Sequence, residues 1–185
     1  IVMGIRKLAI ALSFKGKIIN KIENSWKILL KEFNIKYISD HNCKPHITLF
    51  AGNIKKKDIT KVYISLKKLK LKTFKITSPG IGIFANKYPN LFIRWKKNLN
   101  IILLRNLIIK DTLKFFITQN PYTKDNLWEP RSTIAYKDLN YYHIENLFNK
   151  LNFMFRKHSA QIDYVLLIDY TIKEKIIYKI KFNKL

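Results

Sequence analysis

The chain has 185 residues, 48% of them hydrophobic, and a formal net charge of +24. That apolar content excludes a disordered chain, the lack of any run of eighteen or more apolar residues excludes a helical membrane span, and a single cysteine, Cys43, excludes an internal disulfide. The charge leaves two readings open: a polyanionic partner, or the Lys-, Ile- and Asn-rich, Ala- and Gly-poor composition that an AT-rich genome writes into any protein.

The length suits a single domain over 1–185, or two small lobes around one core. Leu8-Ala9-Ile10-Ala11-Leu12 follows Arg6 and Lys7, as in a signal peptide. The apolar run is short and no small-residue cleavage site follows it, so Ile5 to Ser13 reads as a buried strand in a cytoplasmic protein. From Lys15 to Phe33, apolar residues at Ile18, Ile22, Trp26, Leu29, Leu30 and Phe33 recur at gaps of three and four and predict an amphipathic helix. Ile35 to Ser39 reads as a short strand, Asp40-His41-Asn42 as a turn, and residues near 45–50 as a strand ending at Gly52-Asn53. Asp58 is the expected N-cap of a helix carrying Ile59, Val62, Tyr63 and Leu66 on one side.

Three strands follow, Thr73 to Thr77, Ile81 to Ala85 and Leu91 to Lys96, broken by Pro79-Gly80 and by a hairpin loop, Asn86-Lys87-Tyr88-Pro89-Asn90. Asn98 caps a long apolar helix from about Leu99 to Phe116, and Gln119 to Asn126 is a polar loop. Trp128 to Tyr136 is again a strand, and Asp138 or Asn140 caps a helix bearing Ile144, Leu147, Phe148 and Leu151. Gln161 to Ile172 and Lys175 to Phe182 form a closing strand pair. The fold class is α+β, with mostly antiparallel sheet and helices outside. The order of elements hints at an internal duplication.

Two strands share a pattern. Pro45-His46-Ile47-Thr48-Leu49-Phe50 and Pro130-Arg131-Ser132-Thr133-Ile134-Ala135 lie 131 − 46 = 85 residues apart. Side chains alternate between the faces of a strand, so His46 shares a face with Thr48, and Arg131 with Thr133. If the strands lie close, four polar side chains meet in one cleft. By the same alternation Tyr136, five positions after Arg131, faces away from it.

These residues resemble the 2H phosphoesterases, the LigT-like or RNA 2′,5′-ligase-like superfamily, whose members carry two His-x-Thr/Ser-apolar motifs on central strands of two pseudo-symmetric lobes. The first motif is intact as His46-Ile47-Thr48-Leu49. The second, within Trp128-Glu129-Pro130-Arg131-Ser132-Thr133-Ile134-Ala135, has Arg131 where the family has its second histidine. The resemblance implies a cleft between two lobes and action on RNA ends or on cyclic or 2′,5′-linked nucleotides. It implies no metal or organic cofactor. His46 would be the acid/base, and Thr48 and Thr133 would donate to phosphate oxygens. Guanidinium stays protonated, with a pKa above about 12, so Arg131 can hold a phosphate but cannot take up a proton.

The expected partner is therefore RNA or a nucleotide, bound by a monomer. Tyr88, Phe84 and Tyr122 are expected to stack on a base or line the cleft, whereas Trp128 reads as core. His41, His143 and His158 have no partner spacing, and no Cys, Asp or Glu cluster completes a metal site around His41 and His46. The alternative function is a catalytically silent relative that binds phosphate or RNA. A third reading, an unrelated basic protein, requires the two motif strands to lie far apart.

Overall fold

The computed structural model describes residues 4–85 and 87–183. Strands β1 (Ile5–Lys15), β2 (Ile47–Lys55), β3 (Phe74–Ser78), β6 (Phe116–Gln119), β8 (His158–Asp169) and β9 (Lys175–Lys181) build a six-stranded sheet. Its order is β3-β8-β1-β2-β6, with β9 also on β8, and all pairs are antiparallel. Strands β4 (Gly80–Phe84), β5 (Asn90–Arg94) and β7 (Arg131–Tyr136) form a second antiparallel sheet in the order β4-β5-β7. The two motif strands, β2 and β7, thus belong to different sheets. Among the described residues no helix is long and apolar enough to cross a membrane.

The alternation along β1 sets up what lies between the sheets. Leu8, Ile10 and Leu12 point into the main core, which also takes Ile22 and Leu29 of α1 (Ile18–Phe33) and Val62 and Leu66 of α3 (Ile59–Lys68). Ile108 of α4 (Leu99–Thr112) and Leu147 and Leu151 of α5 (Ile144–Phe155) complete that core. The opposite face carries Ala9 and Ala11, which form a separate small cluster with Ala51, Leu166 and Ile168. Large side chains on one face exclude water, while alanines on the other leave a hollow. Helices α1 and α5 pack on the smaller sheet, α4 on the larger one, with α3 beside α4.

Most expected elements are present, and the differences have local causes. Residues predicted as a strand after α1 instead form a single helical turn, α2 (Tyr37–Asp40). Asn34, at φ 52°, ends α1, and the backbone N–H groups of Lys36 and Tyr37 both donate to Asp138 Oδ2 at 2.7 Å. Asp138 therefore caps this turn, and Asn140 caps the turn leading into α5 through Tyr142 N–H at 3.0 Å. Asp58 makes no cap bond; its carboxylate pairs with Lys61 at 2.8 Å. Gly52 lies inside β2 rather than at its end. A Cβ there would collide with the Thr118 carbonyl, so the glycine admits β6, a four-residue edge strand too short to show a period. The helix capped by Asn98 stops at Thr112, and Asn98 accepts from Ile101 N–H at 3.0 Å. Strands β4 and β5 pair as the expected hairpin; Asn86 of its loop lies outside the described residues.

Candidate active site

The register of the two motif strands repeats in detail. On β2, Thr48 pairs with Ala11 and Phe50 with Ile10, so Leu49 is an extra, unpaired residue. On β7, Thr133 pairs with Phe92 and Ala135 with Leu91, so Ile134 is extra. Each motif threonine is thus followed by a β-bulge, which resets which residues face which side. Past the bulge, the next cleft-facing residue comes three positions after the threonine instead of two: Ala51 on β2 and Tyr136 on β7, both lining the same cavity. The expectation that Tyr136 faces away from Arg131 fails here, because it assumed an unbroken strand.

The cavity has a volume of about 500 Å³, within the range of small-molecule sites. His46, Thr48, Arg131 and Thr133 all line it, as do Phe84, Tyr88 and Tyr122. Its floor is the alanine face of the larger sheet, at Ala9 and Ala51. The motif strands therefore do not lie far apart, and the reading that required this is excluded.

His46 immediately precedes β2, with its side chain 18% exposed. Its Nδ1 lies 2.7 Å from the Lys44 carbonyl oxygen. A carbonyl only accepts, so the hydrogen is assigned to Nδ1 and Nε2 is left to exchange protons. Glu174 Oε2 is 4.0 Å from the same Nδ1. In the sequence Glu174 falls in the two-residue gap between the closing strands, Gln161 to Ile172 and Lys175 to Phe182. Its signal was slight, a lone acid among lysines.

Arg131 is half-buried. Its guanidinium carbon is 4.9 Å from the centre of the Phe84 ring and 5.9 Å from that of Phe92, and Nη1 makes one long bond, 3.4 Å, to the Glu129 carbonyl. Burial pulls its pKa below the ordinary arginine range, against the opposing charge of Glu129. The Glu129 carboxylate is itself engaged by Arg94 at 2.7 Å and Lys97 at 3.4 Å. Among the described residues Arg131 forms no ion pair, and this partly desolvated cation lines the cavity. Phe84 supports this guanidinium from the cavity wall. Tyr88 and Tyr122 are about half exposed at the mouth.

All three tryptophans address the motif strands. Trp128 Nε1–H donates to the Thr48 carbonyl at 2.9 Å and Trp26 Nε1–H to the Thr133 carbonyl at 3.3 Å. These are equivalent carbonyls, each beside a bulge where the ladder is interrupted. Trp95 Nε1–H donates at 3.0 Å to Ser132 Oγ, which in turn donates at 2.8 Å to the His46 carbonyl. Ser132 is buried and ties one motif to the other. Arg105, also buried, donates from Nε to the carbonyl of the bulged Leu49 at 3.1 Å and lies 4.6 Å from the Trp128 ring centre. Neither Ser132 nor Arg105 stood out in the sequence, though a serine at the position equivalent to apolar Ile47 (47 + 85 = 132) was a signal.

No protein-family model matches the sequence, and no curated protein does. The fold, in contrast, matches solved structures over nearly its full length. E. coli LigT complexed with 3′-AMP superposes with a TM-score of 0.61 at 13% identity, covering 97% of this chain and 99% of LigT. TT0787 of Thermus thermophilus gives a TM-score of 0.67 at 13% identity, covering 95% of this chain and 97% of that one. Usb1 of Kluyveromyces marxianus gives 0.51 at 9% identity, covering 94% and 97%. The chain has the α+β fold of LigT and TT0787, with the cleft between its two sheets.

Proposed function

We propose that the chain is a single 2H-type phosphodiesterase domain acting on RNA ends or on small cyclic or 2′,5′-linked nucleotides. His46 is its proton-transfer group, Arg131 a fixed phosphate-binding cation, and Thr48 and Thr133 are donors to the non-bridging oxygens. The observation that carries this reading is the convergence of these four side chains on one nucleotide-sized cavity. E. coli LigT has been solved with 3′-AMP, ATP, NADP+ and phosphate, which supports a nucleotide as the occupant here.

In this reading Nε2 of His46 takes a proton from water as the water oxygen bonds to phosphorus. The bond to the leaving oxygen breaks, and that oxygen takes its proton from solvent, since Arg131 cannot supply one at neutral pH. A strained 2′,3′-cyclic phosphate needs that proton least and is the expected best substrate. Arg131 and the threonines stabilise the charge that builds on the phosphate oxygens.

The test is hydrolysis of a 2′,3′-cyclic nucleotide by the wild-type chain and by His46→Ala. Turnover that survives this substitution sinks the assignment. The second reading, a silent phosphate-binding relative, rests on Arg131 itself. It expects binding that weakens with salt and with Arg131→Ala, and no product over long incubation.

A further inference from the structure

The geometry points to Glu174 as a positioning residue for His46: its carboxylate stabilises the imidazole, which the Lys44 carbonyl holds, once Nε2 has taken a proton. The inference rests on His46 being the proton-transfer group of the proposed reaction. Glu174 ends the turn between β8 and β9, and its backbone N–H donates to the His41 carbonyl at 3.0 Å, docking this turn against the loop that leads into the first motif. Its Oε2 lies 4.0 Å from His46 Nδ1, and the two side chains are 23% and 18% exposed. That oxygen is shielded from solvent, and the donor that reaches the carboxylate is the Cys43 thiol.

A thiol is a weak donor that leaves a shielded carboxylate poorly compensated, and natural structures rarely keep such a group without a reason. Here the reason is a charge that arrives during turnover. When Nε2 accepts a proton, the positive charge spreads over the ring, and the carboxylate 4.0 Å from Nδ1 offsets it while Nδ1–H stays on the Lys44 carbonyl. Glu174 itself neither gains nor loses a proton.

The surrounding groups leave this role to Glu174. Lys44 on the same loop, and Lys87 and Arg131 elsewhere on the cavity wall, are cations that oppose a charged imidazole. His41 is stacked on Tyr37, with ring centres 3.8 Å apart. Cys43 faces the Glu174 carboxylate; burial first, and that carboxylate second, hold its thiol far above the usual range, so it stays a neutral S–H donor. The other cavity-lining acid, Glu129, is engaged by Arg94 and Lys97.

The experiment is an NMR titration of the His46 ring protons in the wild-type chain, Glu174→Gln and Glu174→Asp, with His46→Ala to assign the signal. A carboxylate 4.0 Å from the ring favours the protonated form, so its loss moves the titration to lower pH, and Glu174→Asp falls between. In kinetics, kcat/KM requires neutral His46 and rises with pH through its midpoint. Its acid limb therefore moves to lower pH in Glu174→Gln, and kcat falls. A folded Glu174→Gln that titrates at the wild-type midpoint overturns the inference. The titration needs no substrate, so an absence of turnover would count against the proposed reaction alone.

Discussion

Strands β2 and β7 lie in different sheets yet share a geometry: a bulge one residue after the threonine, at positions 134 − 49 = 85 apart, and an indole N–H on each threonine carbonyl. They differ in what they present. The first offers His46, Thr48 and Ala51; the second offers Arg131, Thr133 and Tyr136. The backbone device is duplicated while the chemistry is split. One strand carries the group that can exchange a proton, the other a group that can only hold charge. In the proposed reaction binding and proton transfer are therefore separable, and substitutions can attack either.

The largest expected effect is on the proton-transfer side. His46→Ala should lower kcat/KM for a 2′,3′-cyclic nucleotide by about 10²–10⁴-fold, measured by product formation at neutral pH. Next is the attempt to make the strands alike. Arg131→His supplies a second imidazole at the equivalent position and should raise turnover by about ten- to a hundredfold if the leaving oxygen needs its proton. Unchanged turnover in that variant would mean that the cyclic ester leaves unaided. Thr48→Ala and Thr133→Ala should each cost about tenfold in kcat/KM, and by similar factors, since each removes one donor to the same charge.

How much of this was legible depended on whether a feature repeats along the chain or arises between distant parts. The α+β class, the strand pair at the C-terminus and the helix faces follow from apolar periodicity. Lys36 and Tyr37 were misread because what decides their conformation is Asp138, about a hundred residues away. Tyr136 was misread because parity along a strand holds only without a bulge, yet the paired apolar residues Leu49-Phe50 and Ile134-Ala135 mark both bulges in plain sight. Ala9 and Ala51 read as ordinary strand residues, although their small volume opens the cavity floor. Glu174, Ser132 and Arg105 gain their roles only from partners brought in by tertiary packing.

The smallest expected effects test whether the two bulges are energetically as well as geometrically alike. Trp26→Phe and Trp128→Phe each delete one indole donor and leave a threonine carbonyl beside a bulge without its partner. Each should cost about 1–3 kcal/mol in denaturant unfolding. Trp128 should be the costlier. Its bond is shorter, 2.9 against 3.3 Å, and its ring also carries the buried Arg105 guanidinium, which fixes the Leu49 carbonyl at the bulge. Removing Trp128 therefore loosens two contacts to β2, whereas Trp26→Phe loosens one contact to β7. Equal costs would mean that Arg105 holds the β2 bulge on its own. A larger cost at Trp26 would show that the second strand, despite lacking the histidine, depends more on its indole contact than the first.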